Sequence, residues 1–346
     1  MNKKYQNGFF IFGLIVLVIM VTQLDFDDVW RGLQRAGYWF LAVVLLWVAL
    51  YAINTASWYT IINQSTEDGR KSDGKKNPFS FFWLYKVTVS GFALNYATPG
   101  GLMGGEAYRI MELAPRIGVE RASSSVILYV MTHIFSHFWF WLLSVVICLF
   151  TVELTPVICV ILSLVVVFCL LGLWFFMKGY KKGLAVRLAK WLSNLPWIGK
   201  WAHGLVYNHK SQLETVDRQI AALHKQSPVA FVVAVGLELL CRFLSSFEIM
   251  FVLLVVMPDV SYWSCVIMLA FTSLFANLLF FIPLQLGGRE GGFMMSASEL
   301  SMTLSNGVFV ALIVRLRELL WTAIGLLLIK MEKSENNDKK TRIITE

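Results

Sequence analysis

The sequence predicts an all-α polytopic membrane protein with about six full spans and two re-entrant helical hairpins arranged as an inverted repeat. Three observations carry this. Of 346 residues, 57% are hydrophobic and only 15% are charged, which places the chain among multi-span membrane proteins. A short phrase of the form P-x-x-L-x-G-x-E occurs twice, once in each half. The lysines and arginines are distributed so that one face of the membrane collects most of them.

The first copy of the phrase is Pro99-Gly-Gly-Leu102-Met-Gly104-Gly-Glu106 and the second is Pro283-Leu-Gln-Leu286-Gly-Gly288-Arg-Glu290. Each follows a long apolar stretch. Proline and glycine break helices. A broken helix inside the bilayer leaves backbone groups unpaired, which is tolerated only within protein or beside a water-filled cavity. Two such breaks in corresponding positions, each ending in a carboxylate, point to a transporter core.

Segments of about 20 apolar residues can cross the hydrocarbon core. The pattern predicts spans at 8–24, 38–62, 123–150, 155–178, 228–257 and 306–330. Two further apolar segments, 79–98 and 262–283, run directly into the repeated phrases. The first span follows Lys3 and Lys4 and resembles a signal peptide, but Thr22-Gln23-Leu24-Asp25 lacks a small-x-small cleavage site, so we expect it to be retained. The chain then reads as one integral domain over 1–346. It has a first half (1–150), a basic segment (179–227), a second half (228–330) and a polar tail (331–346).

Charge orients these elements. Loop 63–78 carries Arg70, Lys71, Lys75 and Lys76; segment 178–227 carries nine basic residues; the tail adds Lys333, Lys339, Lys340 and Arg342. The connections near Glu153 and Asp259 carry none. Both termini and the basic segment share the cytoplasmic side only if 79–122 and 262–305 each dip in and return. Three full spans separate them, so they would enter from opposite leaflets. Eight full crossings are the alternative, because each arm is long enough to span if helical throughout. Within 181–225, Leu184, Leu188, Trp191 and Leu192 recur at helical spacing among lysines and arginine, the pattern of a helix lying on a membrane surface.

Charges inside spans cost roughly 2.5–3.5 kcal/mol each at the helix centre, so they mark a cavity or a partner. The candidates are Glu106 and Arg109 after the first break; Arg289 and Glu290 in the second; Glu238 and Arg242, at i and i+4, with Glu248 further on; and Arg315 and Glu318, with Arg317 between them. Gly104, Gly105, Gly287 and Gly288 offer backbone amides near the breaks, and Asn95 is placed to tie down the first one. Arginines at such a site would hold a phosphate by bidentate hydrogen bonds. A buried glutamate, Glu106 or Glu290, could couple protons.

The basic excess flanks spans and so fits anionic headgroups; nucleic acid is not expected as a partner. The five cysteines lie in apolar segments without a CxxC pair, so neither disulfides nor zinc are expected. His133 and His137 have metal-binding spacing but lack the glutamate of H-E-x-x-H. No phosphate-binding loop or nucleophile elbow is present, and no cofactor is expected.

The run Asn95-Tyr-Ala-Thr-Pro99-Gly-Gly-Leu102-Met-Gly104-Gly-Glu106-Ala-Tyr-Arg109 resembles the first signature of the lysylphosphatidylglycerol synthase transmembrane family. Phe281-Ile-Pro283-Leu-Gln-Leu-Gly-Gly-Arg-Glu290-Gly resembles the second, with Leu284 and Gln285 where a second proline and a glycine are common. The resemblance covers nearly the whole chain. It implies an inner-membrane protein that translocates lipids through two inverted repeats. It also implies that Glu106, Arg109 and Glu290 line the cavity. The multiple peptide resistance factors of this family fuse such a module to a cytosolic synthase, for which this chain has no room, so aminoacylation is not expected. The expected function is therefore flippase or scramblase activity on a phosphate-containing phospholipid or polyprenyl-phosphate lipid, without catalytic residues. Membrane lipids are the expected partners, and a homo-oligomer is compatible with the sequence. The alternatives are an intramembrane lipid-modifying transferase and a small-solute or ion transporter.

Overall fold

A computed structural model describes residues 11, 15, 18, 22, 26–64, 79–97, 104–182, 228–278, 288–300 and 302–345. The described residues form ten helices and no strands. We number them α1 (Phe26–Ala36), α2 (Tyr38–Gln64), α3 (Phe81–Ala97), α4 (Gly104–Ile117), α5 (Val119–Thr151), α6 (Pro156–Lys182), α7 (Pro228–Leu253), α8 (Tyr262–Leu278), α9 (Gly288–Glu299) and α10 (Leu304–Thr345). The protein is thus all-helical and polytopic.

Among the described residues, four stretches are long and apolar enough to cross a membrane: Tyr38–Asn63, Arg121–Thr151, Pro156–Trp174 and Val229–Leu253. These match four of the six predicted spans to within a few residues. The predicted span 8–24 falls almost wholly outside the described residues; 11, 15, 18 and 22 are helical. The predicted span 306–330 is the middle of α10. That helix carries Arg315, Arg317 and Glu318 through its centre and continues through the polar tail to Thr345. The expected amphipathic helix at 181–225 lies outside the described residues beyond Lys182.

Proline opens α6 and α7 at Pro156 and Pro228, where the missing N–H would have no helical partner. Gly118 separates α4 from α5 with φ 88°, a conformation that glycine adopts without steric cost. The described helices end at Ala97 and Leu278 and begin again at Gly104 and Gly288. In both copies of the phrase the glycine and glutamate fall in the first turn of a helix, Gly104 and Glu106 in α4, Gly288 and Glu290 in α9. A carboxylate there complements the positive end of the helix dipole. Pro99, Leu102, Pro283, Leu286 and Gly287 lie outside the described residues.

Packing repeats between the halves. α3 lies on α4 and α4 on α5, as α8 lies on α9 and α9 on α10. α2 packs against α3 and α5, and α7 against α8 and α10. The halves join through α2 on α7, and through the matching pairs α3 on α10 and α8 on α5. The contacts among α2, α3, α4 and α5 thus have counterparts among α7, α8, α9 and α10. The seam between α3 and α10 is close: Ser90 Oγ donates to the Gly325 carbonyl at 3.0 Å. By contrast, α6 touches α5 and turns Val157, Val160, Leu164, Val167, Leu170 and Leu171 outward, a surface suited to lipid rather than water.

Candidate functional site

Buried charge gathers in two centres, each beside one copy of the repeated phrase and each drawing residues from both halves. The first is built around α4. The α4 amide at Gly105 donates to Asn95 Oδ1 (2.7 Å), and Asn95 Nδ2 donates to Glu106 Oε1 (2.8 Å). Asn95, at the end of α3, therefore ties the break down by capping the next helix and orienting its glutamate. Gly105 has no room for a side chain: a Cβ would strike the Gly91 carbonyl and Asn95. Arg109, one turn on, is only 1% exposed. Its bonds are long: Nη1 lies 3.6 Å from Glu106 Oε1, and Nη2 donates to the Thr88 carbonyl at 3.4 Å. Aromatic rings hold it instead, Phe92 at 4.6 Å, Tyr129 at 5.2 Å and Trp58 at 5.8 Å from guanidinium carbon to centroid, a cation–π enclosure.

The centre continues onto α5 and α7. Glu238 and Arg242 do not close on one another, as their i, i+4 spacing would permit. Both turn to α5. Glu238 Oε2 lies 2.8 Å from His133 Nδ1, while Arg242 donates from Nε to Ser136 Oγ (2.9 Å) and from Nη2 to the His133 carbonyl (3.0 Å). Tyr129 stands within electrostatic reach of Arg109, Glu238 and Arg242. Five buried atoms here, Trp58 Nε1, Glu106 Oε2, Arg109 Nε, Tyr129 Oη and Glu238 Oε1, have no hydrogen-bond partner among the described residues. Native interiors rarely leave such groups unsatisfied, so these mark a place that receives a ligand or solvent.

The second centre is saturated. Glu248 of α7 takes a bidentate pair from Arg317 of α10 at 2.7 and 3.0 Å, and a third bond from Trp47 Nε1 at 2.9 Å. The Arg317 guanidinium also lies over the Trp47 ring at 3.8 Å. Glu318 pairs with Arg289 of α9 and accepts from the Tyr96 hydroxyl; Glu290 pairs with Arg315. Arg317 and Glu248 are sealed, whereas Arg289, Glu290 and Arg315 keep 21–31% of their side-chain surface.

The expected residues thus sort into two groups. Asn95, Gly104, Gly105, Glu106, Arg109, Glu238 and Arg242 belong to the first centre. Gly288, Arg289, Glu290, Arg315 and Glu318 belong to the second, and Gly287 lies outside the described residues. Glu106 and Glu290 belong to different centres, Glu106 beside Asn95 and Arg109, Glu290 beside Arg315. Their centres communicate through Asn95 and its neighbour Tyr96, which bonds to Glu318 across the seam between the halves. Sequence reasoning passed over Tyr96, Tyr129 and His133 as site residues, and named Glu248 and Arg317 without a partner. The available signal was the cost of an intramembrane charge, which demands a polar neighbour on another span.

The family model described as lysylphosphatidylglycerol synthase TM region matches residues 8–325. No curated protein and no solved structure matches the chain. That family is a membrane domain related to lipid, in agreement with the apolar helices and their outward-facing surface. The match runs over most of the sequence and includes both copies of the repeated phrase: the chain belongs to the lysylphosphatidylglycerol synthase TM-region family.

Proposed function

We propose that this protein moves a phosphate-bearing lipid between the leaflets of the cell inner membrane. The observation that carries the reading is the first centre: buried cationic and anionic groups with unsatisfied atoms, set where two packed repeats meet. A headgroup needs polar contacts to cross hydrocarbon, while its acyl chains can remain in lipid. Five arginines and five glutamates (Arg109, Arg242, Arg289, Arg315, Arg317; Glu106, Glu238, Glu248, Glu290, Glu318) lie in the two centres. That balance lets a zwitterionic headgroup exchange for internal pairs without stranding a net charge.

Element lengths support two re-entrant hairpins beside six full spans. Helices α3, α4, α8 and α9 have 17, 14, 17 and 12 residues, each short of the roughly 20 that a full crossing needs. With both hairpins re-entrant, the two repeats are inverted and both termini are cytoplasmic. The protein acts as a transporter and not as an enzyme, with membrane lipids as its partners.

The test is reconstitution into vesicles of phosphatidylcholine and phosphatidylglycerol carrying a fluorescent phosphatidylglycerol, whose outer-leaflet fraction is bleached by dithionite. Transport predicts that the protected pool becomes accessible faster than in protein-free vesicles, and that Glu106→Gln and Arg109→Lys slow it. Equal rates with and without protein would overturn the reading. Covalently altered lipid in the same vesicles would indicate a transferase instead.

A further inference from the structure

His133 and Glu238 are held together in a way the repeats do not account for. Neither lies in a repeated phrase, and they come from different helices in different halves, α5 and α7. Glu238 is 1% exposed, with one oxygen on His133 Nδ1 and the other unpartnered among the described residues. His133 keeps 32% of its side-chain surface, and its Nε2 edge makes no hydrogen bond among the described residues. A buried carboxylate is therefore connected to a partly exposed imidazole.

The surrounding charges decide what that imidazole does. Arg242 and Arg109 both act electrostatically on His133, as does Glu238. Glu106 faces Arg109. Tyr129 and His137 flank His133 on the same face of α5, with ring centroids 6.4 and 5.2 Å away; Cys241 lies near Glu238. Phe92 of α3 contributes only a ring. His137 donates from Nδ1 to the His133 carbonyl at 3.1 Å, so it buttresses the backbone and does not bond to Glu238. With His133 neutral, two arginines and two glutamates cancel. With His133 protonated, the centre carries one excess positive charge.

We propose that His133 and Glu238 form a proton-binding site that makes the first centre an anion site when it is loaded. In the unloaded form, His133 donates from Nδ1–H to the Glu238 carboxylate and Nε2 carries a lone pair. One proton from water binds Nε2 and gives an imidazolium–carboxylate pair; release returns the same proton to water. No other bond changes. The added charge is offset by an anion at Arg109 and Tyr129, whose Nε and hydroxyl are unpartnered. Proton and anion then favour each other's binding by the same factor, as linkage requires. Identifying the anion as a lipid phosphate rests on the transport reading above; the proton site does not.

Two measurements on the full chain separate these. The first is pH-difference infrared spectroscopy of ligand-free protein in detergent micelles, titrated between about pH 8 and pH 4. An imidazole-to-imidazolium signal is expected that vanishes in His133→Gln, survives His137→Gln and shifts in Glu238→Gln. Gel filtration confirms that each variant is folded. A signal unchanged in both His133→Gln and Glu238→Gln would overturn the site. The second is the fluorescent phosphatidylglycerol assay at symmetrical low and high pH. Wild type should translocate about tenfold faster at the lower pH, and Glu238→Gln should abolish that ratio. A ratio that both variants retain would overturn the coupling. No translocation at either pH, with the infrared signal as expected, would support the proton site and sink the lipid-transport reading.

Discussion

The two halves carry the same phrase and nearly the same packing, yet their buried charges are held differently. Around α9 and α10, Arg317, Glu248 and Trp47 form a closed set, with Glu318 saturated by Arg289 and Tyr96. Around α4, Arg109 has only long contacts and aromatic faces, and five buried polar atoms have no hydrogen-bond partner among the described residues. A repeat can thus fix architecture without fixing chemistry. The fully paired centre ties helices together; under the transport reading proposed above, the other is where a ligand would compete.

That contrast is sharpest under deletion of a carboxylate. Glu248→Ala strands a sealed guanidinium, and breaking a buried pair this way costs about 3–5 kcal/mol. Glu106→Gln keeps an oxygen for Asn95 and removes only a 3.6 Å ion pair; it should cost about 1 kcal/mol or less. Thermal unfolding in micelles measures both. Replacing Glu248 and Arg317 together by Met and Leu should recover most of the loss. Equal losses for Glu248→Ala and Glu106→Gln would break the comparison.

The next largest effect lies at the α3–α4 approach. Gly105→Ala places a methyl against the Gly91 carbonyl and Asn95, and forcing extra volume into a packed contact costs about 1–3 kcal/mol. It should also tilt α4 and disturb Asn95 and Glu106, so translocation should fall along with thermal stability. In the second half the corresponding position is Arg289, which points to Glu318. The second repeat cannot make the same close approach, and this departure is where the halves part chemically.

Tyr96→Phe tests the link between the centres. It removes one bond to Glu318, and interhelical hydrogen bonds in membranes average about 0.6 kcal/mol with a ceiling near 1.7. A small fall in the unfolding midpoint is expected. The decisive readout is a double-mutant cycle between Tyr96→Phe and Arg289→Lys, which should be non-additive because both partners share Glu318. Strict additivity would mean that Tyr96 does not join the halves.

Much of this architecture was legible because its signals are local. Pro99, Gly104 and Glu106 lie within eight residues, and Pro283, Gly288 and Glu290 repeat the spacing; breaking residues act on their own backbone, so the helix starts at Gly104 and Gly288 followed. Apolar runs marked α2, α5, α6 and α7 for the same reason. Partnership was not legible. Arg317 and Glu248 are 69 residues apart, and His133 and Glu238 are 105 apart; nothing along the chain encodes which helix faces which. His133 was weighed with His137 as a metal pair, since i, i+4 spacing is visible in one helix whereas a glutamate on α7 is not. Asn95 was readable as a tie for the broken backbone because its target, Gly105, is ten residues away.

The smallest effect is also the cleanest contrast between the repeats. Gly291 of α9 occupies the position that Ala107 holds in α4, and a Cβ there would meet nothing within 4 Å. A helical glycine costs about 0.5–1 kcal/mol relative to alanine through backbone entropy, so Gly291→Ala should raise the unfolding midpoint slightly. Gly292, one residue on, already abuts Thr272, where a Cβ would lie 3.0 Å from the Thr272 Cα. The crowded face of α9 is therefore one position removed from the open one. If Gly291→Ala lowered stability as Gly105→Ala does, α9 would be as tightly seated on α8 as α4 is on α3. The difference between the two repeats would then reside in their charges alone.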